Sequence, residues 1–316
     1  MKEYDKKMIK AVMLGHAVAD ALGVPVEFMS RESLKAHPVT DMTGYGSYDV
    51  PAGTWSDDTS MSLCALDVLA DGVCDFDRIM LNFVNWYTKE EFTATDTLFD
   101  IGVTCTVAIE NYYEDKLPWN ECGLTSGDSN GNGSLMRIHP FTLYLKYCEC
   151  GKTLSEKLDI IYDASALTHA HARSKVGCGI YSFVLWKLLD GCDKNGVRDA
   201  LAEAGEYYND DPEYYTYERL FLPDFDKLPE SEIKSSGYVL DTLEAALWCL
   251  LTTNSFEECV LKAVNLGRDT DTVGAVAGGL AGALYGLDAI PEKWLDTLKK
   301  REYIEEMCER ASKNFM

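Results

Sequence analysis

Residues Asn265–Gly286 read N-L-G-R-D-T-D-T-V-G-A-V-A-G-G-L-A-G-A-L-Y-G. The first half places Asp269, Thr270, Asp271 and Thr272 just behind Gly267. The second half is apolar, with Gly274, Gly278, Gly282 and Gly286 four residues apart. Residues at i and i+4 share a helix face, so one face of the predicted helix is bare of side chains and can lie close to another backbone. The oxygen cluster at its entrance is either an over-supplied helix cap or a site for a hard metal ion. The apolar part is too short to cross a bilayer, and Asp271 and Asp288 flank it, so it reads as a buried helix.

A second stretch has the same design. G-T-W-S-D-D-T-S-M-S-L-C-A-L-D-V-L begins at Gly53 and predicts a helix from about Ser56 or Asp57, burying Met61, Cys64, Ala65, Val68 and Leu69. Ser and Asp are good N-caps, and acids in a first turn complement the helix dipole. One cap needs one or two such groups, however, and Ser56, Asp57, Asp58 and Thr59 supply four. Carboxylates and hydroxyls without His or Cys suit Mg²⁺, Mn²⁺ or Ca²⁺. Two such clusters with Glu27 offer enough anionic ligands for two divalent ions. Like charges brought together in a partly dry site repel strongly. A helix dipole offsets only about 0.3–1 kcal/mol of that.

The remaining chain reads as helices. Met8–Leu22 has helical apolar spacing and stops at Gly23 and Pro25. Taken alone, Glu27 just beyond that stop is a solvated loop carboxylate. Helices are expected over about Phe76–Thr88 and Thr95–Tyr113. Gly127–Pro140, G-D-S-N-G-N-G-S-L-M-R-I-H-P, is a loop that offers bare backbone N–H groups to an anion or is a plain turn. Arg137 in it could neutralise a phosphate or pair with an acid. T-H-A-H from Thr168 opens another helix, in which Gly177 marks a close approach. His169 and His171 lack the further ligands that zinc requires. Glu206–Glu232, rich in Tyr and acids, reads as an irregular surface excursion. No alternating strand pattern and no internal repeat stand out. The expectation is one all-α domain over residues 1–316, with roughly a dozen helices and a central dinuclear metal cleft.

Composition sets the outer limits. The chain has 316 residues, 47% of them hydrophobic, enough for a large core. A formal net charge of -23 disfavours nucleic acid and anionic membrane as partners. The eleven cysteines are scattered without C-x-x-C, and the N-terminal apolar run is broken by His16 and Asp20 with no cleavage site after it. Reduced thiols, a cytoplasmic location and a monomer are therefore expected.

D-A-L-G-V-P-V-E-F (from Asp20), W-S-D-D-T, G-N-G-S-L-M-R, L-T-H-A-H and the G-R-D-T-D-T-V-G segment together resemble the ADP-ribosylglycohydrolase family, in that family's order, over about Met8 to Gly286. The resemblance implies an all-helical fold holding two Mg²⁺ or Mn²⁺ ions. It implies Ser56, Asp57 and Asp58 at one metal, Asp269 and Thr272 at the other, Asp271 between them, and Glu27 as a further ligand or gate. The loop Ser129–Gly133, including Gly131 and Asn132, would cradle a diphosphate, with His169 beside the ligand. The sequence departs from the family pattern at Ala19, at Ser56 in place of Thr, and at Gly133–Met136.

The implied reaction is hydrolysis of the glycosidic bond between ADP-ribose and an acceptor, a modified protein side chain or a small conjugate, with an oxocarbenium-like transition state. Asp57 or Asp58 would be the base. The rival expectations are a non-catalytic ADP-ribose-binding module, against which the intact acidic set argues, and a two-metal phosphoester hydrolase.

Overall fold

A computed structural model describes residues 2–315. Among these, sixteen α-helices and five short 3₁₀ turns form, and no strand. The buried apolar side chains make one cluster running from Met8 to Phe315.

Two helices form the axis. The N-terminal helix, Glu3–Gly23, is buried on every side from Ala11 onward. A helix apolar all round belongs in a core. By length and composition it could cross a membrane, yet it is 89% buried inside this fold. Against it lies the glycine helix, Thr270–Tyr285. A Cβ on Gly278 would come within 2.3 Å of the Gly15 carbonyl oxygen, and one on Gly282 within 2.0 Å of the Ala11 carbonyl oxygen. The backbones therefore touch, as the four-residue spacing predicts. Gly286 is a correction to that stripe. It has φ 83 and nothing within 4 Å of a virtual Cβ; it caps the helix end instead of packing.

This pairing places the site. The N-terminal helix ends at Gly23 beside the first turn of the glycine helix, where Thr270 Oγ1 donates to the Gly23 carbonyl at 2.8 Å. The helix Asp57–Leu69 starts at the same end. Three helix termini, two of them N-termini, thus meet at one point.

Three expectations need correction. The helix predicted from Thr95 starts at Val103. Residues ahead of it take left-handed backbone at Glu90, Phe92, Asp96 and Asp100, which no helix tolerates. Arg137 binds no phosphate. It is fully buried and donates to the Ala164 carbonyl and to Thr168 Oγ1, with Phe83 under its guanidinium. The Tyr-rich segment is no purely surface excursion. Tyr208 and Tyr217 are buried, because Gly177 and Gly179 open the helix Ala172–Leu189 to their hydroxyls. Tyr217 donates to the Arg173 carbonyl at 2.8 Å. Around these anchors the segment folds as a short helix and three 3₁₀ turns.

Candidate metal centre

Capping and metal binding compete for the same oxygens, so the caps decide what is left over. The helix Asp57–Leu69 is capped twice without using either of its first-turn acids. Ser56 Oγ accepts from the Asp58 amide at 3.3 Å. Asp20, from the last turn of the N-terminal helix, accepts from the amides of Ser56 (2.9 Å) and Thr59 (3.1 Å) and from Thr59 Oγ1 (2.6 Å). The side chains of Asp57 and Asp58 are thus free of the role that a simple capping reading gives them. Asp58 is completely buried, and its Oδ2 has no hydrogen-bond partner. Its Oδ1 accepts from Thr272 Oγ1 at 3.3 Å.

The second cluster is arranged similarly. Asp269 occupies the N-cap position of the glycine helix but makes no side-chain cap bond. Its Oδ2 accepts instead from Asn132 Nδ2 at 2.8 Å. Asp271 Oδ1 accepts from the Thr272 amide at 2.9 Å.

Two groups of carboxylates come close enough to share a cation. Single oxygens of Asp20, Asp58 and Asp271 lie within 4.8 Å of one another, as do those of Glu27, Asp100 and Asp271. Asp271 belongs to both. Ser56, Asp57, Asp269 and Thr272, also singled out by the sequence, surround these groups. Asp57, Asp269 and Thr272 line the cleft together with Glu27 and Asp100, while Ser56 Oγ caps the helix.

Glu27 is not the solvated carboxylate that its loop position suggests. It is 6% exposed, and its Oε2 is buried without a partner. Segment 28–31 holds it there. The Phe28 amide donates to the Arg268 carbonyl at 2.6 Å and the Arg268 amide to the Met29 carbonyl at 2.8 Å. Arg31 spreads its guanidinium over the carbonyls of Leu266, Glu230 and Ile233.

Sequence reasoning missed Asp20 and Asp100 as site residues. Asp20 had a signal, a charge buried on an apolar helix. Asp100 had none; it is one acid in an irregular loop.

The charges explain why this cluster calls for cations. Burial first, then mutual repulsion, raises the pKa of Asp57, Asp58 and Asp271 well above the usual carboxylate range. Burial above all pushes Asp20 up to about 7, Glu27 to about 8 and Asp100 to about 6. Among the described residues no cationic side chain offsets these acids. A donor set of hard oxygens, two of them orphaned and buried, fits hard divalent cations.

A pH dependence follows. The folded, metal-free chain holds protons that the unfolded chain releases above about pH 4. That contribution to stability is fully present below the unfolded value and is lost as pH rises through about 6 to 8. Thermal unfolding in chelator should therefore show a melting temperature that falls from pH 5 to pH 8. Mn²⁺ should restore it most at pH 8, with proton release in unbuffered titration. A flat or rising metal-free profile would contradict the cluster.

Opposite the acids lies the glycine-rich loop. Two backbone bonds tie it to the start of the helix Val239–Thr252, Asn132 amide to the Gly237 carbonyl and Val239 amide to the Asn130 carbonyl, both 3.0 Å. Gly131, Asn132, Gly133 and His169 line the same cleft of about 240 Å³. Among the described residues the amides of Gly131 and Gly133 find no protein acceptor, as an anion cradle requires. The Asn132 side chain serves the fold, bridging Thr242 Oγ1 (2.9 Å) and Asp269. Ser129 is buried but does not line the cleft.

His169 is buried, and burial followed by the nearby Arg137 lowers its pKa to about 3, so it is neutral. Its Nδ1 meets Thr168 Oγ1 at 2.8 Å, and that oxygen already accepts from Arg137. The hydroxyl proton is then free for Nδ1, which favours the tautomer with Nε2–H facing Gly131 and Gly133. His171, by contrast, is a helix cap, accepting from the Arg173 amide through Nδ1.

The comparisons with known proteins show the family. The sequence model described as ADP-ribosylglycohydrolase matches residues 2–316. An ADP-ribosylarginine hydrolase, Tri1, of Serratia proteamaculans is 34% identical over 95% of this chain and 78% of its own length. The ADP-ribosyl-[dinitrogen reductase] glycohydrolase of Rhodospirillum rubrum is 32% identical over 90% of this chain and 88% of its own. A solved structure described as an ADP-ribosylglycohydrolase-related protein complex superposes with a TM-score of 0.81 at 31% identity, covering 100% of both chains. The chain belongs to the ADP-ribosylglycohydrolase family.

Proposed function

We propose that this protein hydrolyses the glycosidic bond joining ADP-ribose to an arginine side chain, releasing ADP-ribose. The observation that carries this reading is the cleft itself. One wall is a set of buried carboxylates sharing Asp271, and the other is a loop with free amides at Gly131 and Gly133. The relatives named for ADP-ribosylarginine and ADP-ribosyl-dinitrogen reductase support the bond and the acceptor.

Asp58 and Asp271 on one side, with Asp20 behind them holding the helix start, and Glu27, Asp100 and Asp271 on the other, would hold two divalent cations. Asp57, Asp269 and Thr272 stand beside them. Bound cations supply charge neutralisation and Lewis-acid polarisation of sugar oxygens and water.

The chain supplies the rest. The amides of Gly131 and Gly133 hold the diphosphate, and His169 Nε2–H donates to the ligand beside them. Fixing the diphosphate sets the distal ribose against the acids, so binding energy positions the anomeric carbon. Asp57 is the base that takes the proton from the attacking water. It lines the cleft, whereas Asp58 is fully enclosed and does not. Eleven thiols, none of them in a disulfide, support a reducing compartment such as the cytoplasm as the place of work.

The test is release of ADP-ribose from ADP-ribosyl-arginine with Mg²⁺ or Mn²⁺, abolished by chelator. Release of AMP and ribose phosphate would instead make it a phosphoester hydrolase. ADP-ribose binding that is indifferent to chelator, without turnover, would make it a binding module.

A further inference from the structure

Three aromatic rings lie beside two of the acids that line the cleft. Glu27 and Asp100 are each next in sequence to a phenylalanine, Phe28 and Phe99. Tyr48 joins them. Its hydroxyl lies against the carboxylates of both Glu27 and Asp100, and its ring packs on Phe99 (centroids 5.0 Å apart) and Phe28 (6.4 Å). Moving out from the acids, the surface therefore passes from carboxylate to phenol to phenyl.

Phe28 is out of place for a structural residue. It is 66% exposed although apolar, and it sits in left-handed backbone, φ 67. A phenylalanine pays for both conditions, and the segment 28–31 described above holds it there. Inward from it, Glu27 Oε2 is buried and has no partner. The charges acting on Glu27 come from Asp100, Asp269 and Asp20, all acids. An exposed aromatic face beside a buried carboxylate with one oxygen unpartnered, and among the described residues no cationic side chain acting on it, fits a planar cation. Glu27 offers one oxygen to the group it forms with Asp100 and Asp271, so its other oxygen can accept the N–H groups of such a cation while the rings meet its face.

We infer that Phe28, Tyr48 and Phe99, with Glu27, form the acceptor subsite, which receives the guanidinium of the modified arginine and selects it over neutral acceptors. The inference rests on the hydrolase reading above and adds where the acceptor is recognised. Tyr48 is a positioning residue in this scheme, holding both carboxylates in place while its ring orients the two phenylalanines.

The experiment compares kcat/KM on ADP-ribosyl-arginine and ADP-ribosyl-serine with Mg²⁺ for the wild type and for Phe28→Ala, Phe28→Leu, Phe28→Tyr and Phe99→Ala. Phe28 is exposed, so its variants should fold, and thermal unfolding checks this. Phe28→Ala and Phe28→Leu should lose roughly tenfold on the arginine conjugate, the scale of a cation–π contact. Phe28→Tyr should keep wild-type values, because it keeps the aromatic face. Inhibition by free ADP-ribose should be unchanged in all four.

Phe28→Leu matching the wild type, or equal losses on both conjugates, would overturn the subsite while leaving the hydrolase intact. So would a wild type that prefers the serine conjugate. A wild type that releases ADP-ribose from neither conjugate would overturn the hydrolase reading, and the subsite with it.

Discussion

Asp271→Asn is expected to lower ADP-ribose release by about 10³-fold or more, equivalent to about 4 kcal/mol of transition-state stabilisation. Asp271 is the one side chain common to both carboxylate groups, so a single substitution weakens both cation positions together. Asparagine keeps the size and one acceptor oxygen for the Thr272 amide, which Asp271 Oδ1 binds at 2.9 Å. The local fold should therefore survive. What is lost is a charge that burial and the neighbouring Glu27, Asp269 and Asp58 hold in an unfavourable environment.

This gives a second readout of opposite sign. Without metal, the variant should be more stable than the wild type at pH 8, because it removes one of the repelling carboxylates. With saturating Mn²⁺, the order should reverse, because the wild type gains binding free energy that the variant lacks. Calorimetric titration with Mn²⁺ and thermal unfolding with and without chelator test both halves. A variant that keeps wild-type Mn²⁺ affinity would show that Asp271 is not shared between cations. A variant that is less stable in both conditions would show that Asp271 is a structural residue of the helix start.

The same residues show how far sequence reaches. The clusters at Ser56–Asp58 and Asp269–Thr272 were legible because they are contiguous. Too many oxygens at one helix start is a local anomaly, and the fold shows its resolution: Ser56 and Asp20 do the capping, and the acids are left over. Spacing alone also exposes the close helix pair, since a four-residue glycine repeat has few other meanings. Asp100 was illegible for the opposite reason. Its place beside Glu27 depends on a run of left-handed residues between Glu90 and Asp100, and no local rule predicts that path. Arg137 and the Tyr-rich segment were misread in a common way. Arg137 was read as a partner for a phosphate or an acid and the Tyr-rich segment as a surface excursion, but each finds a partner that only tertiary structure supplies. Arg137 has the Ala164 carbonyl and Thr168. Tyr208 and Tyr217 have the openings left by two glycines in a helix far along the chain. Burial of polar residues is decided by partners, and partners distant in sequence leave no periodicity to read.

The second large effect is expected far from any ligand. Gly278→Ala adds one methyl group, yet that Cβ would lie 2.3 Å from the Gly15 carbonyl oxygen and 2.4 Å from Ala19 Cβ. Neither can rotate away, because the first is backbone and the second has no rotamer. The two axial helices must separate or shear. Overpacking of this kind costs about 1–3 kcal/mol, which for a chain of this length corresponds to a melting temperature lower by about 1.5–5 °C. Gly278→Leu should cost more. The shift should reach the metal centre, because the two helices carry different parts of it. Asp20 lies five residues beyond Gly15 on one helix, and Asp271 seven residues before Gly278 on the other. The Asp20–Asp58–Asp271 group closes within 4.8 Å only if those helices keep their separation. Displacing oxygens relative to one another weakens a site for a cation with strict geometry more than one for a tolerant cation. Gly278→Ala should therefore lose Mg²⁺ affinity more than Mn²⁺ or Ca²⁺ affinity, while Gly151→Ala, where a Cβ meets nothing within 4 Å, changes neither affinity. A folded Gly278→Ala protein with unchanged Mg²⁺ affinity would separate the glycine stripe from the metal centre and leave it a role in packing alone.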